Sequence, residues 1–263
     1  DSLARELVEL HSMGWRNFHV VLCHGHRFIG NGFGMETHDV RIDVYGSVGD
    51  YLGSGNDGMT IHMHGNGQDQ IGQIHKRGST IVHGDVGQCY GYGAKGGKLF
   101  IRGNAAGRPM INSVGSPKLV INGTALDYLA ESFMAGDPLE GGGFVIINGI
   151  EYDEKGNLQS METPYPGGNL FSLSSGGAIY VRDPHSRLSA SQLNGGDFTD
   201  LTDADWQILE PLLMENEGHF GIQLAALLTV EGEVRAPGEV YRKIIPLKNK
   251  ALSVEDGWAA KHD

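Results

Sequence analysis

Residues 46–58 read GSVGDYLGSGNDG and residues 84–96 read GDVGQCYGYGAKG, so five glycines recur at an offset of 38 residues. The interval between neighbouring repeats is half as long, because Gly46, Gly65, Gly84 and Gly103 stand 19 residues apart. Self-similarity at a fixed short period is typical of solenoid proteins, in which each repeat forms one coil. Glycine tolerates the positive φ that sharp turns require. The predicted turn glycines are Gly46, Gly49, Gly53, Gly55, Gly58, Gly65, Gly72, Gly84, Gly87, Gly91, Gly93, Gly96 and Gly103.

The residues before each leading glycine predict a β-strand. The positions four and two residues earlier are Ile42 and Val44, Ile61 and Met63, Thr80 and Val82, Leu99 and Ile101, Leu119 and Ile121, and Val145 and Ile147. All except Thr80 are apolar, and a period of two places them on one face of a strand. A βαβ unit needs roughly 30 residues, so a 19-residue repeat is too short to contain a helix. Crossovers between parallel strands are nearly always right-handed, which predicts an all-β, right-handed parallel β-helix.

The composition changes at both ends of the repeat, and we divide the chain accordingly. Residues 1–29 predict an N-terminal cap, with Leu3, Leu7 and Leu10 at helical spacing and a first strand over residues 18–23. Residues 30–183 form the predicted β-helix, and residues 184–263 a helical cap and tail; all three belong to one structural unit. We expect the end helices to cover the open edges of the sheet.

Two helices are predicted in the C-terminal part. Thr202 has the residue type and position of an N-cap for a helix over residues 203–215, which Pro211 is expected to kink or restart. Residues 218–228 predict a second helix, and residues 234–246 read as a mixed tail.

Charge and composition exclude several classes of partner. A formal net charge of −12 argues against nucleic acid and against anionic membranes as partners. Cys23 and Cys89 lie far apart, so neither a disulfide framework nor an iron–sulfur site is indicated on this chain. No apolar run has the length of a membrane span, and residues 1–14 do not have the pattern of a signal peptide. We expect a cytoplasmic protein.

Two glycine motifs resemble a nucleotide-binding fingerprint. Residues 53–58 and 91–96 both fit G-x-G-x-x-G, but the fingerprint requires a helix to follow. Here each motif leads into a predicted strand, so we interpret both as turns of the solenoid. No nucleophile motif and no acid–base pair with a catalytic spacing is present, and we assign no catalytic and no cofactor-binding residue.

The histidines form two H-x-H pairs, His24 with His26 and His62 with His64. Such a pair shares one face of a strand and could bind zinc, and His64 and His83 occupy equivalent positions in successive repeats, where they could stack. No acidic or cysteine ligand recurs beside them, which favours polar residues on the outer face of the coils over a metal site. A metal at either pair stays an open alternative.

Several segments together resemble one known family. They are residues 25–30 (GHRFIG), 63–69 (MHGNGQD), 82–87 (VHGDVG), 97–103 (GKLFIRG), 133–136 (FMAG) and 176–182 (GGAIYVR). With them the chain resembles the GXGXG domain of glutamate synthase in its stand-alone subunit form. It departs from the family pattern at residues 107–116, where Met110 and Asn112 replace glycines, at an insertion over residues 137–140, and at Asp183, where the repeat would place glycine.

The resemblance implies a β-helix without catalytic groups, which braces a glutaminase domain against an FMN and iron–sulfur synthase domain. We therefore expect a non-catalytic subunit of a hetero-oligomeric, glutamate synthase-like oxidoreductase. It would carry no cofactor itself, and its partners would be a flavin/iron–sulfur synthase-type subunit and a glutaminase-type subunit.

Two alternatives remain. The C-type subunit of formylmethanofuran dehydrogenase, which joins a molybdenum or tungsten enzyme, shares the repeat, as do subunits of N-methylglutamate synthase. The second alternative is an independent β-solenoid enzyme, such as a hexapeptide acyltransferase or a polysaccharide lyase. A hexapeptide acyltransferase would require a six-residue period, and a polysaccharide lyase would be expected to have a secretion signal; the sequence shows neither pattern.

Overall fold

A single ten-stranded sheet runs through the protein and contains one strand from each coil. The computed structural model describes residues 2–247. The strands of this sheet are β1 (Asn17–His26), β2 (Arg41–Val48), β3 (Asp57–His64), β4 (Arg77–Val82), β5 (Lys98–Ile101), β6 (Lys118–Ile121), β7 (Phe144–Ile147), β10 (Ala178–Arg182), β11 (Gly196–Thr199) and β14 (Tyr241–Pro246). Strands β1 to β7 and β10 are parallel, and each pairs with the next in chain order. Strand β14 pairs antiparallel with β10, and β11 pairs antiparallel with β14 and forms the last strand of the sheet.

The remaining elements lie at the ends of the chain and in the excursions between coils. They are helix α1 (Ser2–Ser12), strands β8 (Ile150–Tyr152) and β9 (Leu158–Ser160), helices α2 (Asp203–Phe220) and α3 (Leu224–Leu228), strands β12 (Thr229–Val230) and β13 (Glu233–Val234), and helix α4 (Pro237–Val240). The insertion at residues 137–140 contains a single 3-10 turn, Pro138–Glu140, capped by Asp137. No helix within residues 2–247 is long and apolar enough to cross a membrane.

Equivalent residues of successive coils stack directly on one another and fill the interior. One row runs through Ile42, Ile61, Thr80, Leu99, Leu119, Val145 and Ile179. Every member of this row is 0% exposed. Each coil therefore buries these interior residues against its neighbours, which is how a solenoid gains stability. The predicted parallel β-solenoid is confirmed.

Each coil turns a corner in which every second residue has a left-handed backbone. The positive φ values recur at 51, 53 and 55, at 70, 72 and 74, and at 89, 91 and 93. Alternate amides of a corner donate to different coils: Gly53 N–H to Ile29 O at 2.8 Å, and Gly55 N–H to Gln73 O at 2.7 Å. The corner is thus held from both sides by backbone hydrogen bonds.

The same corner persists where the glycines are missing. Met110 has φ 61° and Asn112 has φ 58°. Met110 N–H donates to Tyr90 O at 2.7 Å, and Asn112 N–H donates to Glu131 O at 2.9 Å. A left-handed non-glycine residue costs roughly 1–2 kcal/mol. The hydrogen bonds to the coils above and below hold this conformation, so the departure from the glycine pattern at residues 107–116 leaves the backbone path unchanged.

The predicted turn glycines serve two different purposes. Seven have a positive φ: Gly46, Gly53, Gly55, Gly58, Gly72, Gly91 and Gly93. The other six, Gly49, Gly65, Gly84, Gly87, Gly96 and Gly103, do not, and a Cβ on any of them would collide with an atom of the preceding coil. On Gly65, for instance, it would meet the carbonyl oxygen of Gly46. At these six positions the reason for glycine is the close stacking of coils rather than a positive φ.

Asp183 follows β10, where the parallel stack ends and no further coil has to approach. Its carboxylate is buried, accepts hydrogen bonds from the amides of Arg187 and Leu188 at 2.7 and 3.0 Å, and pairs with Arg242 Nη1 at 2.8 Å. A side chain is therefore accommodated at this position, and it ties β14 to the end of the solenoid.

The helices of the C-terminal part have other bounds than the sequence predicted. Helix α2 is continuous through Pro211, so it does not restart there, and it includes residues 218–220, so the second helix is only Leu224–Leu228. The predicted mixed tail contains β14, which pairs with β10 and with β11. It is these two strands that cover the C-terminal edge of the sheet. Residues 248–263 of the tail lie outside the described residues.

Helix α2 lies instead against the outer face of the sheet. Leu209, Leu212 and Leu213 of α2 share one buried cluster with outward-facing side chains of the strands, among them Ile81, Phe100, Val120, Ile146 and Tyr180. At the C-terminal end, the prediction that a helix covers the sheet edge is therefore wrong. The apolar residues on both faces of strands β4 to β7 and β10 explain the position of α2, because the outer face also has to be covered.

Candidate functional site

Three histidines converge on the outer face of the sheet, where α2 ends. His62 and His64 alternate on β3 with the inward-facing Ile61 and Met63, and His83 directly follows β4. All three histidines are partly buried. Each offers a ring nitrogen, and the three nitrogens lie within 4.8 Å of one another. We call His62, His64 and His83 the histidine cluster.

The rings of the cluster stack along the direction of coil stacking. The centroids of His64 and His83 are 4.7 Å apart, and His62 Nδ1 lies 3.5 Å from His83 Nε2. Tyr45 on β2 stacks on the other side of His64 at 4.4 Å with an interplanar angle of 9°. The predicted stacking of His64 and His83 is confirmed, and its cause is the repeat itself, which places these residues at equivalent positions one coil apart.

An acidic residue lies beside the cluster. Asp43 on β2 is 3% exposed, and its Oδ1 lies 3.0 Å from Nε2 of His64. Arg41 donates to the same carboxylate from Nε at 2.6 Å and from Nη2 at 2.9 Å. These hydrogen bonds, from Arg41 first, outweigh burial and lower the pKa of Asp43 to about 2. The ionised carboxylate accepts the Nε2 proton of His64, which leaves the lone pair of that ring on Nδ1.

The C-terminal end of α2 covers the cluster. The ring of His219 meets that of His62 nearly edge-on with centroids 5.6 Å apart, and Phe220 meets His83 in the same way at 5.2 Å. His219 Nε2 is buried and has no hydrogen-bond partner within residues 2–247. The carboxylate of Glu215, which pairs with Lys98, lies 3.8 Å away from it.

Burial keeps two of the cluster's histidines neutral. Burial is the main cause that lowers the pKa of His62 to about 4, with the nearby charge of Arg41 acting in the same direction. Burial and then the neighbouring His64 and Arg102 lower the pKa of His83 to about 4 as well. Neutral imidazoles have a free lone pair, and three of them next to a carboxylate form a donor set that suits Zn²⁺ and similar metals.

Sequence reasoning missed two members of this site. The prediction that no acidic or cysteine ligand recurs beside the histidines overlooked a single acidic residue, because Asp43 neighbours His62 in the strand register and contacts His64. The 19-residue interval between Asp43 and His62 was a usable signal. His219 could not be found in this way, because it comes from a helix outside the repeat.

The other H-x-H pair has a different environment. His26 Nδ1 accepts a hydrogen bond from the backbone amide of His24 at 3.2 Å and lies 3.5 Å from Cys23 Sγ. Both histidines are exposed, and within residues 2–247 neither belongs to a group of three potential metal ligands.

The two segments that resemble a nucleotide fingerprint are corners of the solenoid. Residues 53–58 lead into β3, and residues 91–96 lead into β5. Because no helix follows, neither segment has the helix N-terminus that holds a pyrophosphate in the dinucleotide fold.

Comparison with known proteins agrees with this architecture. A family model described as the GXGXG motif matches residues 24–229. The chain is also 33% identical over 197 residues to the uncharacterized protein MJ1350 of Methanocaldococcus jannaschii, a match that covers 73% of this chain and 69% of that relative. The matched residues include the whole parallel stack from β2 to β10 and continue through α2. The chain therefore belongs to the GXGXG motif family.

Proposed function

We propose that the chain is a non-catalytic structural subunit of a glutamate synthase-like oxidoreductase, and that it acts in the cytoplasm. In this proposal its partners carry FMN and iron–sulfur clusters, and a glutaminase-type subunit docks on the same scaffold. Membership of the GXGXG motif family and the resemblance to the stand-alone subunit form support the general assignment.

The observation that carries the proposal is the packing of the coils. The side chains that face the coil axis, such as Ile61, Leu99 and Leu119, are apolar and fully buried. The interior of the solenoid is therefore a packed core, and contact with other proteins is left to the corners, the N-terminal end and the outer surface that α2 does not cover. Such an elongated stack of rigid coils is suited to hold two partners at a fixed separation.

The N-terminal end has the features of a docking surface. Strand β1 is the terminal strand of the sheet and pairs only with β2 among the described strands. Val21 and Leu22 on β1 are exposed, as are Met13 and Trp15 before it. An open edge with exposed apolar residues is a site where another chain can bind.

Purification of the untagged protein from its native host tests the assembly. We expect it to elute with a flavoprotein and an iron–sulfur protein, identified by mass spectrometry and by flavin and iron content. Elution as a lone monomer would contradict the proposal. Co-purified molybdenum or tungsten would instead favour the formylmethanofuran dehydrogenase-like alternative.

A matched pair of variants tests the docking surface. Leu22 and Leu173 are both exposed leucines with left-handed backbones, with φ 57° and 55° and exposures of 80% and 71%. Asparagine tolerates this backbone, so Leu22→Asn and Leu173→Asn should both fold. We expect Leu22→Asn to weaken binding of the co-purified partner roughly tenfold, which corresponds to about 1.4 kcal/mol. Leu173→Asn, at the other end of the solenoid, should bind as the unaltered protein does. Equal binding by both variants would exclude β1 as the docking surface.

A further inference from the structure

We propose that His62, His64 and His83 form a binding site for a divalent transition metal of the Zn²⁺ class. The site lies between the outer face of β3 and β4 and the C-terminal end of α2. It is independent of the proposed partners.

The spacing of the nitrogens fits such an ion. Two nitrogen ligands of a tetrahedral Zn²⁺, each at about 2.0–2.1 Å, are about 3.3 Å apart. His62 Nδ1 and His83 Nε2 are 3.5 Å apart, so this pair needs almost no adjustment. The third nitrogen, from His64, lies within 4.8 Å of both. The side chain of His64 is 30% exposed, and its ring lies between those of Tyr45 and His83.

The second observation concerns the residues around the ligands. Metal-binding histidines commonly donate their other ring N–H to a carboxylate, which sets the tautomer and the ring orientation. Asp43 holds Nε2 of His64 in this way, and Arg41 in turn holds Asp43. This arrangement directs the lone pair of His64 to Nδ1.

A third observation concerns the cover of the cluster. His219 and Phe220, at the C-terminal end of α2, place their rings nearly edge-on against His62 and His83, with centroids 5.6 and 5.2 Å apart. The nitrogen of His219 is not among the three that lie within 4.8 Å of one another. The end of α2 therefore covers the three ligands without adding one.

The test uses the full chain after removal of metals with a chelator and gel filtration. Calorimetric titration with ZnCl₂ and elemental analysis of the re-isolated protein should show one Zn²⁺ per chain. Zinc should also raise the midpoint of thermal unfolding, because a ligand that binds only the folded state stabilises it. No saturable binding, or no change of the midpoint at saturating zinc, would overturn the proposal.

Variants separate this site from adventitious binding. His83→Gln and His64→Gln should each weaken zinc binding at least tenfold, and Asp43→Asn should weaken it about 10- to 100-fold through loss of the orienting carboxylate. His24→Gln, in the exposed pair, is the matched control and should bind as tightly as the unaltered protein. Circular dichroism establishes that each variant is folded. Binding that His83→Gln leaves unchanged would refute the assignment.

Discussion

Removal of the carboxylate of Asp205 should loosen the whole C-terminal part of the protein. Asp205 of α2 is fully buried, and its Oδ1 accepts hydrogen bonds from Lys243 Nζ at 2.6 Å and from Tyr180 OH at 2.7 Å. Its Oδ2 accepts from Thr202 Oγ1 at 2.7 Å, within the capping box of the helix. One carboxylate thus joins α2 to β14 and to β10.

The expected magnitude follows from the burial of both charges. The side chain of Lys243 is only 11% exposed, so Asp205→Asn leaves a nearly buried ammonium group without a counter-charge. Breaking a buried ion pair by removing one partner costs roughly 3–5 kcal/mol. Lys243→Met should cost a similar amount. The double variant should cost less than the sum of the two by about 1–3 kcal/mol, because neither charge is then left alone.

The pH dependence gives an independent check. Burial raises the pKa of Asp205, but the hydrogen bonds from Lys243, Tyr180 and Thr202 together outweigh it and lower the pKa below its ordinary value of 3.8. A carboxyl group with a lowered pKa in the folded state contributes stability above its ordinary pKa and loses it as the pH falls through the folded-state value. Below pH 3.8 the unaltered protein should therefore lose this contribution, and Asp205→Asn should not show it.

Urea unfolding at pH 7 and 25 °C measures these free energies. The indole of Trp206 on α2 lies 6.2 Å from the ring of Tyr241 on β14, so its fluorescence reports on this contact, and circular dichroism reports on the sheet. Lys155→Met, which changes a lysine in the exposed turn between β8 and β9, is a control that should leave the unfolding midpoint unchanged. The reasoning is refuted if Asp205→Asn costs less than about 1 kcal/mol, or if the two single variants add without coupling.

Three further predictions concern the coils, the helix contact and a buried histidine. Gly65→Ala should lower the free energy of unfolding by at least about 2 kcal/mol, because the new methyl group collides with a carbonyl oxygen of the preceding coil. Gly55 has open space around it, so Gly55→Ala should lower the free energy of unfolding only by the roughly 1–2 kcal/mol that a left-handed alanine costs. Asn216→Ala removes two buried hydrogen bonds of 2.9 Å to Asn122 and should lower the free energy of unfolding by about 2–4 kcal/mol in the same urea assay. An unchanged free energy of unfolding would contradict the view that these two hydrogen bonds stabilise the contact between α2 and the sheet. Burial lowers the pKa of His75 to about 4, so the unaltered protein should lose stability as the pH falls from 6.5 to 4, and His75→Gln should make that decline shallower; an identical pH profile for both proteins would contradict this account.

The repeat made the stacked part of the fold predictable. A period of 19 residues placed Ile42, Ile61 and Leu99 at equivalent positions, and the structure stacks them in one buried row. The same argument placed His64 above His83. Positions that differ by one period must meet in a solenoid, so local spacing also reports on contacts between coils.

The candidate site was only partly predictable for the same reason. The three histidines of the cluster and Asp43 all lie on the repeat, but the directions of their side chains depend on which face of each strand points outwards. His219 reaches the cluster only because α2 folds back over the sheet. That placement follows from Ile81, Phe100 and Val120, outward-facing residues that need an apolar cover. Their partners are more than 80 residues away in the chain, and no local pattern pairs them.

The sequence by itself determined that this chain is a parallel β-solenoid, because a fixed period with alternating apolar residues leaves no other way to bury those residues. Only the tertiary structure decided that α2 covers the outer face, that β14 and β11 complete the sheet, and that the end of α2 covers the histidine cluster. The physical reason is that each coil contacts the coils next to it in the sequence, so a local period predicts those contacts. Helix α2 and the strands that it covers are far apart in the sequence, and their surfaces fit each other only after both have folded.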